Sequence, residues 1–378
     1  TDSVLTGNST DYVGGGIYCS RRSAAYALTI ENSTIAGNSA DGDGGGIYSG
    51  YGPSAKTVKI TNCNIAGNSA GYDGAGGGIF CERAAITITN TNVAGNSAGC
   101  NGHGIGGGIY CRYGTTTITN CTIKNNKAEG SFDTYGGGGI YCSNDKLTIK
   151  NSVVADNSSG AFGGGIVCCY QSVVAIKNSI VTGNSAEDDG TAIYCNDSNA
   201  AITNCTFAGN PSYEDVWDGY NFTSYFDSSN IQISNCIFWN SGNEIGSFDN
   251  STITAACCNI KGGWPGDGNI DSKPDFAFDG DYHLMPDSPC INAADPNYVP
   301  EPNETDLDGK QRIIDDRVDM GSYEFNPAHP SFAFSQRSFL FLNNWPKPEP
   351  RKLLIRNCGG GSLNWQIIED CNWLEAVP

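Results

Sequence analysis

The chain has 378 residues, 50 of them glycine and 17 cysteine, and its 40 acidic side chains against 21 basic ones give a net charge of −19. Such a charge repels nucleic acid and anionic membranes over a Debye length of roughly 8 Å in physiological salt, which excludes nucleic acid as a direct partner. No stretch approaches the roughly 20 apolar residues of a membrane span.

In chain order, the first signal is a repeat. Versions of Gly-Gly-Gly-Ile-Tyr-Cys place their isoleucine at Ile17, Ile47, Ile79, Ile109, Ile140, Ile166 and Ile193, a step of 26 to 32 residues. Between them run versions of Thr-Asn-Cys-Thr-Ile-Ala-Gly-Asn-Ser-Ala, closing at Asn8, Asn38, Asn68, Asn96, Asn126, Asn157, Asn184 and Asn210. Short β-type runs at this period, punctuated by Gly and Asn, predict a solenoid of stacked coils. Val4 to Asn8 reads as the tail of a coil, so the chain is expected to be part of something longer; no charged-then-apolar leader opens it.

Within the coil from Gly76 to Asn96, Ile79 and Cys81 share parity, Ile86 and Ile88 share parity, and Thr91 and Val93 resume the alternation after Asn90. Alternation of period two turns each set to one side. The expected fold is all-β: a right-handed parallel β-helix with about three strands per coil, ending in a truncated β-sandwich. Asparagine tolerates the left-handed backbone of a sharp bend and can bond its equivalent one coil away. The series Asn32, Asn62, Asn90, Asn120, Asn151, Asn178, Asn204 and Asn235 is therefore expected to be an internal ladder, too buried to carry a glycan despite sequons at Asn32 and Asn204.

The cysteines follow the repeat. Cys19, Cys81, Cys111, Cys142, Cys168 and Cys195 end the first motif, with Ser49 once in that slot, and Cys63, Cys121, Cys205 and Cys236 alternate with Ser33, Thr91, Ser152 and Ser179 in the second. Interchange with Ser and Thr predicts small inward slots and a thiol ladder, since coils about 4.8 Å apart hold parallel Cβ vectors while a disulfide needs Cβ atoms near 3.8 Å. Paired zinc-ribbon spacings are absent. Between coils, variable loops at Asp41 to Asp43, Gly71 to Ala75, Gly99 to Ile105, Glu129 to Tyr135 and Glu187 to Asp189 share one edge.

The alternation of GGGI with IxGN resembles right-handed parallel β-helix proteins whose repeats are of the polymorphic outer membrane protein type, marked by GGAI and FxxN. Phe207 to Asn210 matches the second mark in full, and the other coils carry Ile or Val in place of Phe. The resemblance covers residues 1 to about 240 and implies a secreted or surface-exposed protein, adhesive or carbohydrate-associated; other β-helix proteins are polysaccharide lyases or hydrolases.

Regular coils are expected over 1–240, irregular last coils and a C-terminal cap over 241–325, and a linker over 326–331. Over 332–378, Phe332 to Phe334, Phe339 to Phe341, Lys352 to Arg356 and Leu363 to Ile367 are β-runs divided by Pro and Gly turns, the pattern of an antiparallel sandwich. Ile355 to Trp365 and Glu369 to Leu374 resemble the start of an Ig-like domain of BACON type. Cys358 and Cys371 could pair there in an oxidising compartment.

Three kinds of chemistry bear on this sequence. A β-helix hydrolase needs carboxylates about 5 to 9.5 Å apart on one face, whereas Asp188, Asp189, Asp215 and Asp218 fall in loops and Arg83 and Arg112 sit beyond the thiol ladder; no catalytic residue is assigned. The residue between the inward Ile and Cys should face out, which lines up Tyr18, Tyr48, Phe80, Tyr110, Tyr141 and Tyr194, with Val167 once among them, as candidate sugar-stacking ligand residues. Asp306 and Asp308 offer part of a calcium loop without its third ligand. The expected protein is an extracellular or cell-surface binder, its partner a polysaccharide or another cell surface, with no cofactor unless calcium; a lyase or glycoside hydrolase and a purely structural stalk are the alternatives.

Overall fold

The computed structural model describes residues 1–20, 26–50, 56–99, 104–130, 136–212, 222–335 and 352–364. Every strand of the repeat region pairs in parallel with its equivalent one coil away, in four stacked sheets of nine, nine, ten and seven strands. One coil runs Ile79–Glu82 (sheet I), Ala85–Thr89 (sheet II), Asn92–Ala94 (sheet III) and Ser97–Ala98 (sheet IV). The chain is thus a parallel β-helix, as its period predicts, with a two-residue fourth strand where Ser-Ala follows each Gly-Asn.

The register is in phase: Ile79 faces Ile109, Cys81 faces Cys111, Ile88 faces Ile118 and Val93 faces Ile123. These residues are almost fully buried and line one continuous core along the solenoid. Each such Ile or Val contributes roughly 1.5–3 kcal/mol by leaving water, repeated coil after coil. The consecutive glycines of the first motif answer to sterics: a Cβ on Gly77 would lie 2.1 Å from the Ser97 carbonyl oxygen, and one on Gly78 would lie 2.7 Å from the Gly108 carbonyl oxygen. Backbones approach too closely there for any side chain.

Two asparagine columns run along the helix, and the inner one is not the expected one. Asn32, Asn62, Asn90, Asn120, Asn151, Asn178, Asn204 and Asn235 do take left-handed backbone, with φ between 48° and 55°. Yet Asn32, Asn62, Asn90 and Asn120 are exposed, linked by single amide bonds such as Asn120 Nδ2 to Asn90 Oδ1 at 3.2 Å. Only Asn178, Asn204 and Asn235 are buried, beneath the later chain. The internal-ladder expectation is therefore corrected for the earlier coils, and burial gives no reason to exclude a glycan at Asn32. The buried ladder is the column that closes the Gly-Asn turns, Asn38, Asn68, Asn96, Asn126, Asn157, Asn184, Asn210 and Asn240. Asn126 Oδ1 accepts from both Asn96 N (3.0 Å) and Asn96 Nδ2 (2.9 Å), while Asn126 Nδ2 donates to Val93 O (3.0 Å) and Asn157 Oδ1 (2.9 Å).

The slot after the outer asparagines also has its reason. The backbone N–H of Cys63 donates to Thr91 Oγ1, that of Cys121 to Ser152 Oγ, and that of Cys205 to Cys236 Sγ. A short side chain that accepts from one coil and donates to its own is required, so Ser, Thr and Cys interchange. Among the described residues fifteen cysteines are free thiols.

Past Asn240 the chain does two things. Residues 257–270 close the end of the core: Trp264 packs against it, Cys258 N donates to Asn269 Oδ1, and Ile260 N donates to Ile270 O. Residues 281–325 then turn back along the outside of sheet III. Tyr282 Oη bonds Ala208 O, Thr206 Oγ1 meets Ser322 Oγ, Gly321 N donates to Asn235 O, and Leu284, Val318 and Met320 bury Ile237. Beyond them, Phe332–Phe334 pairs antiparallel with Ile355–Asn357, and Ala333 and Cys358 pack on Ala277. Phe339 to Phe341, most of Leu363 to Ile367, Glu369 to Leu374 with its Cys371, Asp215 and Asp218 lie outside the described residues.

Candidate functional site

The aromatic row faces away from the core, as parity requires, but the structure covers it. Tyr48, Phe80, Tyr110, Tyr141 and Tyr194 are 1–5% exposed, and only Tyr18, on the first coil, stands open at 58%. The rings stack one per coil at 5.5, 4.9, 4.9 and 5.1 Å from Tyr18 to Tyr141, with planes within 10° of each other. Val13, Ala75, Ile105 and Phe162, from the variable edge between sheets IV and I, close over them as a second apolar cluster. The expected open platform is corrected: no sugar ring reaches the faces of the five covered rings, because the edge loops fold back on the row.

Exposed rings occur instead at the next corner, where sheet I turns into sheet II. The corner residues Arg83, Tyr113, Asn144, Tyr170 and Asp197 all carry φ between 46° and 58°. Asparagine and aspartate visit that region readily, whereas a bulky tyrosine there is an outlier whose strain calls for a reason. Tyr113 is 47% exposed and Tyr170 50%, two coils apart with Asn144 between them. Two coils correspond to about 10 Å of solenoid. Arg83 lies 5.6 Å and Arg112 5.1 Å from the Tyr113 ring centre, and Glu82 holds Arg112 through a 2.7 Å ion pair. An acidic molecule thus presents a ridge of two tyrosines, an amide and two guanidinium groups. Parity could not reveal it, since corner residues lie outside the alternation; two tyrosines at a slot otherwise held by Arg, Asn, Asp and Ser were the available signal.

The acidic candidates have other occupations. Asp306 is buried, its Oδ1 accepting from the N–H of Asp308 and Lys310 and its Oδ2 from that of Glu324, so it caps a turn. Asp308 instead bonds His283 Nε2 at 2.9 Å and Lys310 Nζ at 3.0 Å. The two carboxylates serve different partners, backbone N–H groups for Asp306 and cationic side chains for Asp308. His283 sits between Asp308 and Asp281, whose Oδ1 is 2.5 Å from Nδ1, and stacks on Tyr323 at 3.9 Å. Burial opposes its charge, but the bonds to Asp281 and Asp308 prevail and hold the imidazole up at about 9. This is an ion lock for the returning segment. Asp189 is pushed up to about 6 by burial, while its Oδ1 accepts from Phe222 N at 2.9 Å.

A cleft of about 350 Å³ lies where the end of the helix meets the returning chain, lined by Trp239, Lys273, Asp275, Phe276, Phe278 and Arg356 among others. Arg356 stands 4.5 Å over the Phe278 ring and donates to Ala277 O. Its guanidinium is engaged with Phe278 and its Phe276 ring with Tyr282, so the corner ridge is the better-presented surface.

A family model described as the right-handed beta helix region matches residues 15–280. The chain belongs to that family. Searches of curated proteins and of solved structures find no match. Among the described residues no helix is long and apolar enough to cross a membrane.

Proposed function

We propose that this is a secreted or cell-surface β-helix protein that binds polysaccharide along its corner ridge, with no catalytic role. The β-helix fold serves surface proteins and carbohydrate-acting enzymes alike, so the choice between them rests on the site. The observation that carries the reading is the pair Tyr113 and Tyr170, exposed and held in strained backbone on one corner of a rigid scaffold. Tyrosine rings stack on sugar faces at low entropic cost, and a linear glycan lying along the solenoid meets both. Arg83 and Arg112 favour a polymer carrying carboxylate or sulfate. The GGGI spacing and the Phe207 to Asn210 match support repeats of the polymorphic outer membrane protein type. The pair Phe332–Phe334 and Ile355–Asn357 supports the start of a BACON-type Ig-like domain.

The test is a screen of acidic and neutral polysaccharides scored for retention and for new reducing or unsaturated ends. Retention of an acidic glycan by the parent, lost in Tyr113→Ala/Tyr170→Ala with unchanged β-sheet circular dichroism, is the expected result. Undiminished retention by the double variant overturns the site, and turnover of any glycan overturns the non-catalytic role in favour of a lyase or hydrolase.

A further inference from the structure

We propose that Cys111, Cys142 and Asp145 form a buried site for a single thiophilic divalent cation, with Zn²⁺ the ion that the donor set fits. The two thiols are register partners on adjacent sheet I strands, and Asp145 stands three residues after Cys142 at the turn into sheet II. One donor atom from each lies within 4.8 Å of the other two, and the residues are 1%, 0% and 5% exposed.

Asp145 is the anomaly in an otherwise regular column. The register of sheet II places Ala84, Gly114, Asp145, Ser172, Ser198 and Ser229 at one inward corner slot. The serines satisfy themselves there: Ser172 Oγ donates to Cys169 O, and Ser198 Oγ to Asn196 O. Asp145 does not. Its Oδ2 accepts from Gly114 N at 2.8 Å, but Oδ1 is buried with no hydrogen-bond partner. The neighbouring Thr116 hydroxyl and N–H lie close enough to the carboxyl to favour its charged form, but neither Thr116 Oγ1 nor Asp145 Oδ1 makes an aligned hydrogen bond. A buried carboxyl oxygen left without a partner is destabilising, and a serine or glycine would avoid it, so its presence asks for a ligand.

The donor chemistry selects the ion. Two thiolates with one carboxylate suit Zn²⁺, whereas magnesium and calcium demand oxygen sets. Zinc bonds of about 2.3 Å to sulfur and 2.0–2.2 Å to oxygen put tetrahedral donors some 3.3–3.8 Å apart. The three donors, within 4.8 Å of one another, must draw in by about 1–1.5 Å at most, within reach of χ1 rotation at the cysteines. Cys168, one coil further along, lies about 9.6 Å from Cys111 on the rung spacing, too far to share the same ion, so Thr116 Oγ1 or a water takes the fourth position. Binding releases both thiol protons, and that of Asp145 when present. No linear metal spacing announces the site because the coil stack brings together residues 31 positions apart.

The test refolds the full chain from denaturant in Zn²⁺ or Co²⁺, removes loosely held ions on a chelator column and measures retained metal. One tightly held ion per chain is expected, with thiolate-to-metal charge-transfer absorption in the Co²⁺ sample. Cys142→Ser and Asp145→Ser should both lose it, and Asp145→Ser should fold because serine fills that slot in neighbouring coils. Cys236→Ser, at the corner between sheets II and III, should keep it. A parent with no retained ion, or an Asp145→Ser protein with the same metal content and absorption, overturns the proposal.

Discussion

The two asparagine columns share a residue type and a period yet work in different ways. Asn126 is fully buried and its side chain makes four hydrogen bonds to the two neighbouring coils, one of them to a carbonyl of the coil before. Asn120, six residues earlier, is exposed and its Nδ2 donates once, to Asn90. The outer column is selected by its backbone, the left-handed bend between sheets II and III. The inner column is selected by its side chain, which replaces the ladder bonds that the tight turn between sheets III and IV cannot make. Position relative to the bend separates the two: Gly95, with φ 63°, takes the left-handed place beside Asn96, so that asparagine is freed for bonding inward.

Breaking the inner column should give the largest effect. Asn126→Ala leaves the Asn96 N–H without its acceptor, removes one of the two bonds of the Asn96 amide nitrogen and takes the amide donor from the Val93 carbonyl, at roughly 1–3 kcal/mol per buried group, so a loss of several kcal/mol is expected by denaturant unfolding. Asn120→Gly keeps the bend and removes one exposed bond, and should cost at most about 1 kcal/mol. Equal losses in the two variants would erase the distinction between the columns.

The repeat region was largely legible for this reason, and its limits follow from it too. In-phase stacking makes every coil a copy of its neighbour, so alternation at Ile79 and Cys81 or Ile86 and Ile88 states which residues enter the core. Parity tells inward from outward but not outward from exposed. Tyr110 and Tyr141 point out and are still covered, by Ile105, Phe162 and others from an edge that has no periodicity to read. The same gap hid the burial of Asn178, Asn204 and Asn235, which Glu304, Tyr298 and Asp295 cover from more than 50 residues downstream. The corner tyrosines and Asp145 were legible only as departures from their columns.

A second contrast is between the helix, held mostly by uncharged contacts, and the returning segment 281–325, which carries the ion lock. His283 has its folded value near 9, above its ordinary 6.5, so the stability it confers is complete below about pH 6.5 and is lost as pH rises through 9. Burial likewise lifts Glu324 to about 9 against the pull of Arg312, 3.1 Å away, and its contribution falls in the same direction. For His283 the linkage amounts to roughly 3 kcal/mol at most. Hydrogen exchange should show segment 281–325 losing protection between pH 7 and 9.5, beyond the intrinsic rise in exchange rate, while strands such as Ile109–Arg112 keep theirs. His283→Gln should flatten that dependence; parallel loosening of both regions would show that the lock is not local.

The smallest effect tests whether the corner ridge is built for stability or for binding. Tyr170 holds φ at 54° on the surface, where the residue one coil earlier is Asn144 at 51°. Asparagine accepts this region with little penalty, so Tyr170→Asn relieves backbone strain while removing a half-exposed ring, and the two terms nearly cancel. The variant should unfold within about 1 kcal/mol of the parent, on the stable side if strain dominates, and yet retain less polysaccharide. A tyrosine kept at a strained exposed corner without a stability gain is being used for something else. A loss well above 1 kcal/mol would instead assign the ring to packing and take away the central argument for the ridge.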